Sequence, residues 1–479
     1  MTPFSSAELA LAWPEIYLTA GICLVLLFDL FFGEGRPGRT ATFTLVVLLG
    51  GALITAAQGI TGRHVIFQGL YVADPLSSLL KLAAFLFTAL GLFYSRGYLA
   101  RKDLAKGEFY VLALTALLGV LVLASASNLL SLYVGVELLS LSLYAIVAFD
   151  RESAVGAEAA MKYFVLGAIG SGTLLYGMSV LYGMTGTLDL GTISAQLGDA
   201  PGLGFILAVS FVVVAIAFKF GAVPFHMWVP DVYQGAPTAS AILVATVPKI
   251  ASFAMAFRFL AEGLALQTGD WSRMLGLLAL LSVIAGNLIA IAQTSLLRML
   301  AYSAIGNAGF ILLGFAAGTA AGYSAALYYT LAYVLMTVAG FAVILVLSRE
   351  GCEADQLEHY KGLHQRDPLL AAVLAAVMFS TAGVPPFVGF WAKLQIIQAL
   401  LGSGMLWPAI IAVVASVIGA FYYLRVVWLI YFEAPVDQPA LVRIPGLRLV
   451  LAVNAFAVLA LGLAPQSLLA LCRAVIPGG

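Results

Sequence analysis

Residues 212–228 read V-V-V-A-I-A-F-K-F-G-A-V-P-F-H-M-W, an apolar run broken by Lys219, Gly221 and Pro224. Proline removes a backbone donor and blocks continuation of a helix, so the freed carbonyls need protein or water partners. The same grammar returns at residues 381–393, T-A-G-V-P-P-F-V-G-F-W-A-K, which ends on Lys393. One such stretch is explained by a simple kink. Two that share their wording, each with an embedded lysine, predict broken helices in corresponding positions of two halves, the arrangement that puts a transport site near the membrane midplane.

Composition agrees with a membrane protein. Of 479 residues, 62% are hydrophobic and 10% charged, with a mean hydropathy of +1.05, which roughly reverses the polar share of a soluble domain. Acidic and basic residues balance at 23 each, so no basic field for nucleic acid and no acidic tail is present. Cys23, Cys352 and Cys472 lie far apart and the histidines are dispersed, which argues against a disulfide framework, an iron–sulfur cluster, a haem or a metal site. G-E-G-R-P-G at 33–38 matches a dinucleotide fingerprint by spelling only. It follows an apolar run rather than a strand and contains Pro37, so it reads as a turn. The N-terminus has no basic leader, and the first apolar run reads as a retained span.

Apolar stretches long enough to span a bilayer, about 17–25 residues each, number about fourteen. The fourth and fifth are separated by little more than S-A-S-N at 125–128. Loops on one side collect Arg36, Arg39, Arg96, Arg101, Lys102, Lys106, Arg151, Arg298, Arg349, Lys361, Arg366, Arg443 and Arg448, and the other side little more than Arg63, Arg273 and Arg473. The positive-inside rule makes the first side cytoplasmic and puts both termini outside. The charge-rich segments 96–108 and 349–367 read as solvated cytoplasmic connections.

Against this apolar background, four charges stand out: Glu137, Lys219, Lys249 and Lys393. A charge near the bilayer centre costs at least about 2.5–3.5 kcal/mol, so it persists where it is paired, hydrated or used. Glu137 and Lys219, if about 7 Å apart at an effective dielectric of about 20, attract by about 2.4 kcal/mol. That is enough to decide whether an ammonium stays charged near neutral pH. A static ion pair that only fixes helix packing is the plainer alternative. Lys162 lies a turn or so inside a helix, where snorkelling and a pathway role weigh evenly. His226 is either a proton carrier between core and cytoplasmic side or an ordinary loop histidine. Lys81 and Arg425 read as helix-contact charges, and Asp74 and Asp231 as capping residues near helix ends.

The stretch F-K-F-G-A-V-P-F-H-M-W-V-P-D-V-Y-Q-G-A-P-T, 218–238, resembles the antiporter-like membrane subunits of respiratory complex I, the proton-translocating NADH:quinone oxidoreductase. N-L-I-A-I-A-Q-T-S-L-L-R-M-L-A-Y-S-A-I from Asn287, G-F-W-A-K ending at Lys393 and Y-Y-L-R-V from Tyr422 carry the resemblance over nearly the whole chain. It implies an all-α polytopic fold of about fourteen transmembrane helices with two inverted five-helix repeats, each with a broken helix. The implied division is 1–107 for helices 1–3, 108–262 for the first repeat, 263–433 for the second and 434–479 for helix 14. The family's functional carboxylate maps onto Glu137, its lysines onto Lys219 and Lys249, and its terminal base onto Lys393. Lys162 and His226 match assisting positions. The resemblance implies a member without the long lateral extension that the family's largest one carries after helix fourteen.

One departure is Asn307, where the family often has histidine; water held by Ser303 and Asn307 is the expected bridge there. The resemblance implies a proton-translocating, non-redox subunit with no cofactor of its own. NADH, FMN, iron–sulfur clusters and quinone would be bound by other subunits. Its partners would be the other membrane subunits, neighbouring antiporter-like ones included, in a bacterial inner membrane. A subunit of a multi-subunit sodium/proton antiporter and a structural scaffold are the two alternatives.

Overall fold

The computed structural model describes residues 5–33, 37–198, 202–348, 353–435 and 446–476. Gly35 and Arg36 of the expected turn, and also Arg349, Cys352 and Arg443, lie outside the described residues. The described chain is helical almost throughout. It opens with α1 (Ser6–Leu11), α2 (Trp13–Phe32) and α3 (Pro37–Gln58), then a hairpin of β1 (His64–Ile66) and β2 (Tyr71–Ala73), then α4 (Pro75–Arg101). Next come α5 (Gly107–Ala124), α6 (Leu129–Val147), α7 (Ala154–Thr185), α8 (Leu190–Leu197) and α9 (Leu203–Phe220). The middle of the chain forms α10 (Trp228–Gly235), α11 (Thr238–Ala256), α12 (Thr268–Ile291), α13 (Leu296–Ala316) and α14 (Ala320–Leu347). The last helices are α15 (Leu363–Arg366), α16 (Pro368–Ala382), α17 (Val388–Gly402), α18 (Leu406–Phe432), α19 (Leu447–Leu463) and α20 (Gln466–Val475).

Twelve helices among the described residues are long and apolar enough to cross a membrane, and the pair α19–α20, bent by 80°, makes a thirteenth. Helices α16 and α17, 15 residues each, are too short singly. They flank residues 383–387, where the second Gly/Pro stretch predicts a break. The first break falls between Phe220 and Trp228, again as the sequence reads. Large apolar side chains face outward, Leu30 and Phe31 at 71% exposure and Trp407 at 73%, which suits lipid or protein neighbours rather than water.

Contacts divide the chain into two compact units. The first comprises Met1–Arg96, Asp103–Lys219 and Val247–Met274. Within it α5 and α6 cross backbone to backbone, because both carry glycine at the crossing. A Cβ on Gly119 would fall 2.5 Å from the Leu139 nitrogen, and one on Gly135 would fall 2.9 Å from the Leu123 nitrogen. Small residues permit this approach between membrane helices. The second unit comprises Gly97–Lys102, Phe220–Thr246 and Leu275–Gly479. Its most buried long helices are α13 and α14, which pack on each other and on α17.

The charge-rich segment around residues 353–366 is less solvated than expected. Glu353 accepts hydrogen bonds from Tyr98 (2.6 Å) and from the Thr238 hydroxyl at the start of α11 (2.9 Å), and it pairs with Lys102 at 3.1 Å. Asp355 accepts from Gln234 at 3.0 Å and from the Ser295 hydroxyl, the N-cap of α13. The carboxylates of this connection tie it to helix ends, which its polar composition does not reveal.

Candidate functional site

In the first unit, the tight α5–α6 crossing fixes Glu137, two residues beyond Gly135, in a half-buried position on α6. Lys219 sits in the last turn of α9. Its ammonium donates to Ser140 Oγ at 2.6 Å, and Ser140 in turn donates to the Val136 carbonyl at 2.5 Å. Ser140 lies one turn along α6 from Glu137, so the lysine reaches the glutamate's helix without closing an ion pair. Glu137 Oε1 is buried and has no hydrogen-bond partner. The closed ion pair that the sequence left as the plainer alternative is not formed; the ammonium meets a hydroxyl one turn away.

The C-terminal end of α9 also binds through its backbone. The Lys219 carbonyl accepts a hydrogen bond from Ser252 Oγ at 3.1 Å, and that hydroxyl also lies 2.8 Å from the Pro248 carbonyl. Ser252 is three residues beyond Lys249 on the same helix face. Lys249 itself is 1% exposed. Ser140 and Ser252 were not singled out from the sequence, since serines back-bonding within apolar helices are common. Lys162 differs from the other candidates: it is exposed and paired with Glu158 at 2.7 Å on its own helix.

Two further ionic clusters lie in the same unit. Lys81, 1% exposed, pairs with Glu15 at 2.7 Å and donates to the Tyr71 hydroxyl at 2.7 Å. Burial pushes the Tyr71 phenol up to about 12. Arg258, fully buried, forks onto Asp74 with two 2.8 Å contacts and reaches Glu262 at 2.8 Å and the Ala124 carbonyl at 2.9 Å. Asp74 also accepts from the Ser77 N–H at 2.7 Å, the capping role expected for it. Burial alone would raise the Asp74 carboxyl; the guanidinium and the Ser77 hydrogen bonds outweigh it and hold the group below the usual range.

In the second unit, Gly221 opens the first break with φ +74, and a Cβ there would meet Val229 at 2.5 Å. The Val223 N–H, freed from helix bonding, donates to Ser282 Oγ at 2.8 Å. His226 is half-buried within the break, its ring 6.5 Å from that of Tyr302 and its Nδ1 buried without a partner. Asp231 meets Arg298 at 3.1 Å.

At the second break the lysine has a defined structural duty. Lys393 Nζ donates to the carbonyl of Ala382, the last residue of α16, at 2.9 Å, and to Ser416 Oγ on α18 at 2.9 Å. It also lies 5.5 Å from the Phe310 ring centre. An ammonium on an orphan carbonyl at a helix C-terminus is favourable both as a hydrogen bond and against the helix dipole. Gly383, at φ +92, leaves room for it: a Cβ there would stand 3.0 Å from the lysine side chain. Arg425 does similar work for α12, donating to the Ile291 and Gln293 carbonyls at 3.0 and 2.7 Å, the helix-contact role expected of it.

Ser303 and Asn307 are both buried on α13 and share a network. Asn307 Nδ2 donates to the Ser303 carbonyl at 2.8 Å, and its Oδ1 accepts from Tyr329 at 2.6 Å. Ser303 Oγ bonds the Tyr423 hydroxyl. A cavity of about 20 Å³ adjoins Ser303 and is lined also by Tyr333, Thr337 and Thr381.

Buried ammonium groups beside hydroxyls, a carboxylate one turn away and two broken helices mark a polytopic membrane protein with ionisable groups inside its helix bundle. Comparison narrows the class. Residues 126–419 match the family described as "NADH:quinone oxidoreductase/Mrp antiporter, TM". NADH-quinone oxidoreductase subunit N of Thiobacillus denitrificans is 51% identical over 474 residues, 98% of each chain. A chain of respiratory complex I from Thermus thermophilus superposes with a TM-score of 0.84 at 33% identity, covering 96% of this chain and 99% of that one. A chain of the Mrp complex from Dietzia shares the fold, with a TM-score of 0.86 at 22% identity over 98% of this chain and 97% of that one. The chain belongs to this antiporter-like family, on the branch of the subunit N proteins.

Proposed function

We propose that the chain is a proton-translocating, non-redox membrane subunit of an NADH:quinone oxidoreductase, assembled with other membrane subunits in a bacterial inner membrane. Identity of 51% with a subunit N relative favours this over a cation antiporter, for which the likeness is one of fold. Redox cofactors and quinone belong, on this reading, to partner subunits. The two repeats, 108–262 and 263–433, each carry one broken helix, and both termini lie outside.

The observation that carries the reading is the Lys219 ammonium held by Ser140 one turn from the unpartnered, buried Glu137 oxygen. Charge change in a neighbouring subunit moves Glu137 relative to Lys219. The lysine then releases its proton toward Lys249, with Lys393 as the terminal base and His226 and Lys162 assisting. A hydroxyl on the glutamate's own helix lets the ammonium exchange partners without a bare intermediate. Coupled proton pumping and quinone reduction, measured in vesicles holding the complete complex, test this: Glu137→Gln should leave assembly intact and cut pumping. Unchanged pumping and quinone reduction in that variant would remove the switch.

A further inference from the structure

We infer that the hydroxyls of Ser303 and Tyr423 form a proton relay beside Lys393, with Asn307 as the positioning residue that holds them but carries no proton. The inference rests on the proton-transfer reading above and names the groups that serve it in the second unit.

The amide orientation is set by chemistry. A backbone carbonyl only accepts, so the nitrogen of Asn307 faces the Ser303 carbonyl at 2.8 Å, and its oxygen faces Tyr329, whose hydroxyl donates at 2.6 Å. The remaining amide hydrogen is directed at the two relay oxygens, 3.2 Å from Ser303 Oγ and 3.4 Å from the Tyr423 hydroxyl. Both relay oxygens thus receive a donor from Asn307, while their own hydrogens remain available to each other and to the cavity. An amide nitrogen does not release its proton at neutral pH, so Asn307 orients the pair and the pair conducts.

Location connects the pair to the base. The cavity of about 20 Å³ beside Ser303 exceeds the roughly 10–15 Å³ that one water needs, and Thr337 and Thr381 are among the residues that line it. Thr381 directly precedes Ala382, whose carbonyl holds the Lys393 ammonium at 2.9 Å. On the other flank, Tyr329 stacks on Phe310 with ring centres 5.8 Å apart, and Phe310 lies 5.5 Å under the same ammonium. A proton arriving at the Tyr423 oxygen displaces that hydroxyl's own hydrogen to Ser303 Oγ. The serine passes its hydrogen to a water in the cavity and thence to the Lys393 site. Each hydroxyl ends neutral, and rotation of both restores the starting orientation; the reverse transfer uses the same steps.

The test compares Ser303→Ala, Tyr423→Phe and Ser303→Thr in the assembled complex, with proton pumping per quinone reduced as the readout. Tyr328→Phe serves as the comparison, since it removes a fully buried hydroxyl that has no hydrogen-bond partner among the described residues. Ser303→Ala and Tyr423→Phe are expected to slow pumping about ten-fold or more. Ser303→Thr keeps the hydroxyl and is expected to retain part of the rate that Ser303→Ala loses. Tyr328→Phe pumps normally. Wild-type pumping by Ser303→Ala, or equal slowing by Tyr328→Phe, overturns the relay. Lys393→Arg, which keeps the cap on Ala382, separates the two levels in the same preparations: if it pumps poorly while Ser303→Ala pumps normally, only the relay is wrong. If neither variant is affected, proton transfer through this unit is wrong as well.

Discussion

Lys219 and Ser140 meet at 2.6 Å, one turn along α6 from Glu137. The ammonium is thus bound to a neutral oxygen while the carboxylate nearby keeps one oxygen buried and unpartnered. A closed ion pair would hold its proton firmly. A hydroxyl partner that also hydrogen-bonds its own helix leaves the ammonium able to move toward the carboxylate or away from it.

Ser140→Ala removes that neutral partner. Stranding one buried polar contact costs about 1–3 kcal/mol, roughly a ten- to hundred-fold slowing if it is felt in the transfer step. Pumping rates in vesicles should fall accordingly, and Ser140→Thr should recover most of the loss. Glu137→Asp should be milder than Glu137→Gln, because it keeps the charge and shortens only the reach. Full activity in Ser140→Ala would mean that Lys219 finds the carboxylate unaided.

Lys393 has two duties, capping α16 through Ala382 and serving as a base, and substitutions separate them. Lys393→Ala should lose both and impair assembly as well as pumping. Lys393→Arg can still donate to a carbonyl but stays protonated at working pH, so it should assemble and pump poorly. Equal pumping by the arginine and wild-type forms would reduce the residue to a cap.

Gly119→Ala tests the α5–α6 crossing that positions Glu137. The new Cβ would meet the Leu139 nitrogen at 2.5 Å, a backbone atom that cannot swing away. Overpacking of this kind costs about 1–3 kcal/mol. The expected result is a lower yield of assembled complex and a lower thermal midpoint, whereas Gly172→Ala, where nothing lies within 4 Å, should be neutral.

Arg258→Met would leave Asp74 buried without its cation, while Glu262 keeps its pair with Arg63 at 2.9 Å. Breaking one partner of a buried pair costs about 3–5 kcal/mol, so the single variant should be far less stable than a double variant that also neutralises Asp74. The pH dependence has a definite sign. With its carboxyl lowered in the folded chain, Asp74 contributes stability above its unfolded value of about 3.9, and that stability is lost as pH falls through the folded value. Thermal melts of detergent-solubilised complex from neutral to acid pH measure it, and Asp74→Asn should flatten the slope.

The membrane class, the two helix breaks and the embedded charges could all be read in the sequence. Each rests on a local rule: apolar length, the missing N–H of proline and the cost of burying charge. Against about fourteen expected spans, the described residues show twelve, or thirteen with the bent pair α19–α20, and the short helices α16 and α17 flank the second break. What each charge touches was beyond such rules. Ser140 under Lys219, Ala382 under Lys393 and the fork of Arg258 on Asp74 join residues 79, 11 and 184 positions apart. The same holds for Asn307, which by sequence is a histidine missing from its place. Folding surrounds it with Ser303, Tyr329 and Tyr423 and makes it the centre of a hydrogen-bonded network. The sequence determined which groups must avoid lipid, because that cost belongs to each residue alone. Only the tertiary structure decided which partners they meet, because hydrogen bonding and charge compensation act over a few ångströms between helices remote in the chain.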